Sequence, residues 1–172
     1  ISDELAVKNF LEKNQFDGVV NCAAYTAVDK AEDEPAEANR INHLGPKWLA
    51  KYGKCIIHIS TDYVFDGTAH IPYSENDGPN PVSAYGRTKL AGEKAVLEQA
   101  ETAIIIRTAW LYSLHGSNFV KTMLRLGRTR DSLNVVCDQI GSPTSAADLA
   151  KAIVEILPQI NLKKKEVYHF TD

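Results

Sequence analysis

Tyr85 and Lys89 are the two residues of this sequence whose types and spacing point most directly to acid–base chemistry. They stand four positions apart in a segment predicted to be helical, and residues at that spacing share one helix face. A neighbouring ammonium favours the phenolate and so lowers the pKa of a tyrosine from about 10. A phenol tuned in this way can protonate a carbonyl oxygen while hydride reaches the carbonyl carbon. The pair therefore indicates a hydride-transferring enzyme.

Taken alone, this spacing is a weak indicator, because it also arises by chance. The alternative is a surface helix that carries an exposed Lys and a half-buried Tyr. Thr61 strengthens the first interpretation, because it directly follows the apolar run 55–59, and ligands of open α/β sheets bind at the carboxyl ends of strands. Its hydroxyl can donate to a substrate oxygen or simply cap the end of the strand. Asp62 can bind a sugar hydroxyl or cap the next turn.

A run of small residues follows another apolar stretch, nearer the start of the sequence. Residues 19–24 read as a buried strand, and the segment 21–26 ends in Ala23, Ala24, Tyr25 and Thr26. Small side chains at a strand end let a flat cofactor lie against the backbone. The alternative is close packing of the strand against a helix.

The elements that must position these residues alternate between strands and helices. Strands are predicted at 19–24, 55–60, 103–108, 133–136 and 167–170, with helices from residue 35, from 85 to 97, over 119–126 and over 146–157. This alternation predicts an α/β fold with a Rossmann-like, doubly wound parallel sheet. The Gly-rich turn that normally follows the first strand of a dinucleotide-binding sheet is not in this sequence. We therefore expect a piece of a longer protein that lacks the first strands and that loop.

Composition narrows the choice of partners. The chain has 172 residues, 44% of them hydrophobic, and a net charge of -3 with acids and bases interspersed, so no nucleic-acid partner is predicted. No apolar run approaches the roughly 20 residues that span a bilayer, so no membrane partner is predicted. The scattered cysteines predict buried free thiols in a reducing, cytoplasmic compartment. The histidines lack the HxH and HExxH spacings of metal sites, and no metal ligand is predicted.

Six segments, taken in order, carry a resemblance to a known family. They are residues 21–32, 60–67, 85–93, 107–112, 118–120 and 138–144. Together they resemble the dTDP-4-dehydrorhamnose reductases, a family within the extended short-chain dehydrogenase/reductases, and they span essentially the whole sequence. The resemblance implies reduction of the C4 ketone of a dTDP-6-deoxy-hexulose to dTDP-L-rhamnose, with hydride from NADPH or NADH.

The resemblance also implies a role for each matching residue. Tyr85 matches the proton donor, Lys89 its electrostatic partner that also holds the nicotinamide ribose, and Thr61 the third catalytic residue. Cofactor-lining positions match Ala23, Ala24, Tyr25 and Thr26, and positions that contact the sugar nucleotide match Thr61, Asp62 and Trp110. A tryptophan face suits a sugar or base by stacking, whereas the alternative for Trp110 is packing in the core.

Domain organisation follows from the same resemblance. Residues 1–112 and 144–158 are predicted to form part of the dinucleotide-binding domain, and residues 113–143 and 159–172 to begin the substrate-binding lobe. A homodimer is one expectation. Some family members use Mg²⁺ at a subunit interface, and no ligand for it is assigned in this sequence.

Two other functions stay open at this point. A nucleotide-sugar dehydratase or epimerase of the same superfamily looks similar around residue 61. Dehydratases, however, carry a Glu directly after the Thr-Asp pair, where this chain has Tyr63, which cannot act as a carboxylate base. A non-catalytic relative that resembles the regulatory subunit of methionine adenosyltransferase would keep the fold and bind a partner enzyme. The intact set of Tyr85, Lys89 and Thr61 favours the reductase.

Overall fold

A computed structural model describes residues 1–160 and 164–172 and contains a parallel sheet with helices on both faces. The predicted Rossmann-like α/β fold is confirmed. The larger sheet has the strand order β1-β2-β3-β6, and a small second sheet pairs β4 with β5. The strands are β1 (Val19–Asn21), β2 (Cys55–Thr61), β3 (Thr102–Thr108), β4 (Leu111–Tyr112), β5 (Thr144–Ser145) and β6 (Lys165–His169).

Seven α-helices are described along the chain. They are α1 (Glu4–Lys13), α2 (Lys30–Asp33), α3 (Pro35–Asn39), α4 (Gly45–Tyr52), α5 (Ala84–Gln99), α6 (Phe119–Gly127) and α7 (Ala146–Ile156). Packing against α5 and α4 buries one face of the sheet through Ile56 and Ile105, and α7 covers the other face through Ile57 and Ile106. Continuous apolar runs in β2 and β3 follow from this burial on both faces. None of the described helices is long and apolar enough to cross a bilayer.

The register brings the polar strand ends to one edge. Asn21 of β1 pairs with His58, and Thr61 pairs with Thr108 at the end of β3. Because all four strands run in parallel, their carboxyl ends open at the same edge, where α/β folds bind their ligands.

Helix α5 begins at a conventional cap and packs unusually close to its neighbours. The Ser83 hydroxyl accepts a hydrogen bond from the Gly86 N–H at 3.0 Å, which satisfies one free donor of the first turn. A Cβ on Gly86 would lie 2.2 Å from the Tyr63 carbonyl oxygen, and one on Gly92 would lie 2.1 Å from the Asn42 carbonyl oxygen. These two glycines therefore let α5 contact two backbone segments directly.

The helical segment from Pro35 continues through Gly45-Pro46, a pair that usually bends or interrupts a helix. A π-helical turn, Arg40–Leu44, joins α3 to α4 and accommodates the proline, which cannot donate a backbone hydrogen bond. This turn presents Asn42, which is fully buried.

Several elements differ from their predictions. Strand β1 ends at Asn21, and residues 22–26 leave the sheet as extended chain. Residues 133–136 form no strand, because no residue of the described ranges 1–160 and 164–172 pairs with them and Val135 and Val136 are exposed. All three cysteines are free, but only Cys55 is buried, whereas Cys22 and Cys137 are exposed, since both lie outside the sheet.

Strand β6 also differs from the expected domain division. It lies in the larger sheet and pairs in parallel with β3, reached through the crossover helix α7. The sequence assigned this stretch, within 159–172, to the substrate lobe. Residues 161–163 lie outside the described residues, and the division as a whole stays a prediction.

Candidate active site

The three residues predicted to catalyse proton transfer are all buried at the carboxyl edge of the sheet. Tyr85 is 9%, Lys89 2% and Thr61 6% exposed. Tyr85 and Lys89 lie on the face of α5 that packs toward the strands, so the alternative of a surface helix is wrong. Helix α5 and strand β2 bring the three together.

Tyr85 is held in an apolar setting with one hydroxyl beside it. The Tyr63 ring meets its ring edge-on with centroids 5.5 Å apart. Burial raises the pKa of Tyr85, and the hydrogen-bonding hydroxyl of Thr61 lowers it by less. The expected lowering by Lys89 is therefore wrong for this arrangement, because burial is the largest effect and the ammonium is bonded elsewhere.

Lys89 is bonded to the strand rather than to the phenol. Its Nζ donates to the Ile59 carbonyl oxygen of β2 at 2.6 Å. Burial lowers the pKa of Lys89 to about 8, and the charge of Glu93 acts in the opposite direction. An ammonium carries three N–H donors, and the part of the chain that the structure describes supplies an acceptor for one of them. Two donors are thus left for a ligand.

Thr61 caps the turn at the end of β2, as one of its two predicted roles requires, and its role toward a substrate stays a prediction. Its hydroxyl accepts from the Tyr63 N–H at 3.2 Å and donates to the Asp62 carboxylate at 3.0 Å. The pKa of Asp62 is raised, mainly by burial. Asp62 begins the 3-10 turn Asp62–Val64 directly after the strand, which puts its carboxyl group at the same edge.

The predicted cofactor-lining segment is fixed by a residue that the sequence analysis missed. Asn42 accepts from the Tyr25 N–H at 2.8 Å and donates to the Tyr25 carbonyl at 3.1 Å, as a neighbouring strand would. The Tyr25 hydroxyl itself turns away and donates to Glu34 at 2.7 Å. Ala23 and Thr26 are exposed, so close strand–helix packing is not the reason for their small size. The π-helical turn that presents Asn42 has no clear sequence signal.

Trp110 follows the end of β3 by two residues and does not lie in the core. It is 40% exposed, and its φ of 46° lies in the left-handed region, which a bulky residue rarely adopts. Its carbonyl accepts from the Thr144 N–H at 3.2 Å, which ties β3 to β5. Its indole lies against the open side of Gly141, where an added Cβ would sit 3.0 Å from the ring.

A buried network beneath the site was also missed. Glu93 lies on α5, four residues after Lys89, and is 2% exposed. Its carboxylate accepts from the Ser60 hydroxyl at 2.5 Å and from the Arg107 guanidinium at 2.9 and 2.7 Å. The repeated four-residue spacing from Tyr85 through Lys89 to Glu93 is the signal that could have identified it.

The site's chemistry fits a nicotinamide ribose. Two donors remain on the buried Lys89 ammonium, and the small, exposed residues after β1 leave backbone open beside it. Residues that would hold the pyrophosphate are not assigned, since the sequence has no Gly-rich turn. Within residues 1–160 and 164–172, no group of three or more carboxylate, His or Cys side chains is placed to hold a metal ion.

Comparison with known proteins gives consistent results. The family model described as the RmlD substrate binding domain matches residues 1–172. A protein of Sinorhizobium fredii named dTDP-4-dehydrorhamnose reductase is 54% identical over 144 residues, covering 81% of this chain and 49% of the relative. The chain spans about half the length of the curated relatives it matches.

Two solved structures are similar to almost the whole chain. The first, described as a dTDP-4-dehydrorhamnose reductase from Clostridium acetobutylicum, has a TM-score of 0.93 and 48% identity, covering 99% of this chain and 61% of the other. The second, from Bacillus anthracis, is described as the same enzyme in complex with NADP, with a TM-score of 0.91, 40% identity and the same coverage.

Proposed function

This chain belongs to the family of RmlD substrate-binding domains, and from that premise we propose that the protein reduces dTDP-4-dehydrorhamnose to dTDP-L-rhamnose. The ketone at C4 of the 6-deoxy-hexulose would accept hydride from NADPH or NADH. One observation carries the proposal: Tyr85, Thr61 and Lys89 are buried side by side where β2 ends, with unused donors on Lys89. The names of the similar proteins support the same reaction.

The chain's own residues handle the proton. Because burial raises the pKa of Tyr85, its phenol keeps its proton at neutral pH and can donate it to the C4 oxygen of the ketone. Thr61 lies within hydrogen-bonding reach of that phenol, and its hydroxyl would donate to the same oxygen in place of the Asp62 carboxylate. Lys89, which bonds the Ile59 carbonyl rather than the phenol, would act on this step through the cofactor ribose that it binds. A bound nicotinamide cofactor supplies the hydride.

Other residues orient the reactants. The two unused Lys89 donors would bind the ribose hydroxyls of the cofactor, and Ala23, Ala24 and the backbone of Tyr25 and Thr26 would line its ring. Asp62 would accept from a sugar hydroxyl, and the exposed Trp110 would stack on the sugar nucleotide.

The proposal extends to the wider organisation of the protein. Residues 1–112 and 144–158 would serve the cofactor, and residues 113–143 and 159–172 would begin the lobe for the nucleotide sugar. A cytoplasmic location agrees with the free state of all three cysteines. A homodimer is part of the same proposal, and Mg²⁺ has no assigned ligand.

The decisive test is turnover by the purified full-length protein. With dTDP-4-dehydrorhamnose and NADPH we expect oxidation of the cofactor and formation of dTDP-L-rhamnose, identified by mass spectrometry and NMR. Elimination of water from dTDP-glucose without added reductant would favour a dehydratase instead. Lack of NADPH oxidation together with tight binding to a methionine adenosyltransferase would favour the regulatory relative.

A further inference from the structure

We propose that Glu93 is a positioning residue that keeps the buried Lys89 charged and directed at the end of β2. Its role in turnover rests on the proposed function, whereas its effect on Lys89 itself does not.

Geometry ties Glu93 to the three elements that build the site. It projects from α5 one turn after Lys89, so both side chains lie on the same helix face. Its carboxylate accepts hydrogen bonds from Ser60 of β2 and from Arg107 of β3. Ser60 lies between Ile59, whose carbonyl accepts from Lys89, and the catalytic Thr61. The carboxylate thereby fixes α5 against the two strand ends that position Lys89 and Thr61.

Stability alone is a poor reason for this network. A buried ion pair must repay the loss of hydration of both charges, and apolar replacements of similar volume are often equally stable or more so. The side chains of Glu93 and Arg107 are 2% and 6% exposed, so both charges lose nearly all of their hydration in the folded protein. We therefore expect the Glu93–Arg107 pair to contribute to specificity or function rather than to stability. The functional group nearest to it on α5 is Lys89, one helical turn away.

Lys89 needs a negative partner because burial favours its neutral form. The titratable groups around its ammonium come from each packed element: Cys22 after β1, His58 on β2 and Glu93 on α5. Burial raises the pKa of the Cys22 thiol and lowers that of His58, so both are neutral at physiological pH. Among the described residues, Glu93 is thus the one negative charge that acts on Lys89 at neutral pH.

The test measures Lys89 directly in the full-length protein without cofactor. The pH titration of its side-chain ¹³Cε resonance is followed by NMR after lysine labelling, and the Lys89→Arg variant assigns the signal. In Glu93→Gln, which keeps the size but has one acceptor oxygen in place of two, we expect the midpoint to fall by about one pH unit or more. The alkaline limit of kcat should move down by a similar amount, with partial recovery of activity at lower pH.

Three control variants distinguish an effect of Glu93 on Lys89 from a general effect on the stability of the fold. Glu98→Gln removes an exposed charge from the same helix and should leave the Lys89 midpoint unchanged. Ser60→Ala removes one bond to Glu93 but keeps its charge, and should also leave the midpoint near the wild-type value. Ile106→Val lowers stability from the opposite sheet face and should not shift the titration.

A second variant covers the case in which Glu93→Gln fails to fold. The double variant Glu93→Met/Arg107→Met removes both charges and keeps the volume, so it should fold. Its Lys89 midpoint should still fall, though less than in Glu93→Gln, because the opposing guanidinium is gone too. An unchanged midpoint in whichever of these variants folds overturns the proposal. A shifted midpoint in a protein without reductase activity would instead count against the proposed function alone.

Discussion

Helices α5 and α6 show opposite relations between sequence pattern and burial. Helix α6 is the more amphipathic of the two, yet it buries no side chain, and its Phe119 and Leu124 are 58% and 60% exposed. Helix α5 has little amphipathic pattern, yet it buries ten residues, including Lys89 and Glu93. A helix with polar side chains on its buried face cannot show a clean apolar stripe. The buried polar residues that interrupt the apolar stripe of α5 are those at the candidate site.

The polar contacts of the two regions differ in range. In α5, Lys89, Glu93 and Thr88 each make a hydrogen bond to a group 30 to 46 residues away in the sequence. Around α6 the bonds are local: Lys121 donates to the carbonyls of Leu114 and Gly116, five to seven residues before it. Long-range polar contacts hold side chains in one geometry, which proton transfer requires. The α5 region is therefore expected to be far more sensitive to substitution.

The largest difference should appear at the proton donor. Tyr85→Phe should reduce turnover by about 10²- to 10⁴-fold, the usual contribution of a placed general acid, while the affinity for NADPH stays close to wild type. Steady-state kinetics and fluorescence titration of the cofactor measure both. Tyr52→Phe is the matched control, since its hydroxyl bonds Glu4 far from the site. Equal activity in Tyr85→Phe and wild type would remove this residue from the mechanism.

Two glycines test the packing of the two helices directly. Gly92→Ala places a Cβ 2.1 Å from the Asn42 carbonyl, so the free energy of unfolding should fall by about 1–3 kcal/mol. Gly127→Ala in α6 meets nothing within 4 Å and should leave stability unchanged or raise it by up to about 1 kcal/mol. Denaturant unfolding of the full-length protein measures both. Similar losses in the two variants would show that α6 is as tightly packed as α5.

The success of the sequence-based predictions also differs between local features and features that depend on distant segments. Strands β2 and β3 were predicted correctly because a strand that is buried on both faces is apolar along its whole length. The burial of Tyr85, Lys89 and Thr61 at the carboxyl edge of the sheet agrees with the sequence, because helix spacing and strand ends are local signals, and their roles stay a prediction. The predicted strand at 133–136 was wrong, since pairing depends on a partner strand that residue identity does not reveal.

The missed parts of the site depend on contacts between distant segments. Asn42 holds Tyr25 because a π-helical turn presents it, and Gly92 of α5 lets the helix pack directly against that turn. Glu93 and Arg107 read as ordinary charged residues until β3 and α5 bring them together. The pKa of Tyr85 was predicted in the wrong direction because helix spacing gives proximity to Lys89 but not burial.

A pH-dependent difference should follow from His58, which lies beneath the site and is fully buried. Burial holds its pKa well below 6.5, so the folded protein keeps this ring neutral. Below about pH 6.5 the unfolded chain takes up a proton that the folded chain does not, and stability falls as pH falls, by up to about 1.4 kcal/mol per unit. Urea unfolding between pH 7 and 5 should show a shallower slope in His58→Gln than in wild type, and no change in the exposed-site control His115→Gln. An unaltered slope in His58→Gln would place the titration elsewhere.

The smallest effect is expected at Trp110, which lies between α5 and α6 in the sequence. Because the indole is 40% exposed and free to stack on a ligand, Trp110→Ala should raise KM for the nucleotide sugar about 2- to 10-fold, the range of one aromatic stacking contact, and change kcat less. Trp110→Phe keeps a ring at the same backbone position and should recover part of the loss. Trp48→Phe alters the other tryptophan, which packs against the core away from the site, and should leave KM unchanged. If Trp110→Ala leaves KM unchanged, the left-handed backbone at this residue serves only the link between β3 and β5, and substrate contact must come from other residues.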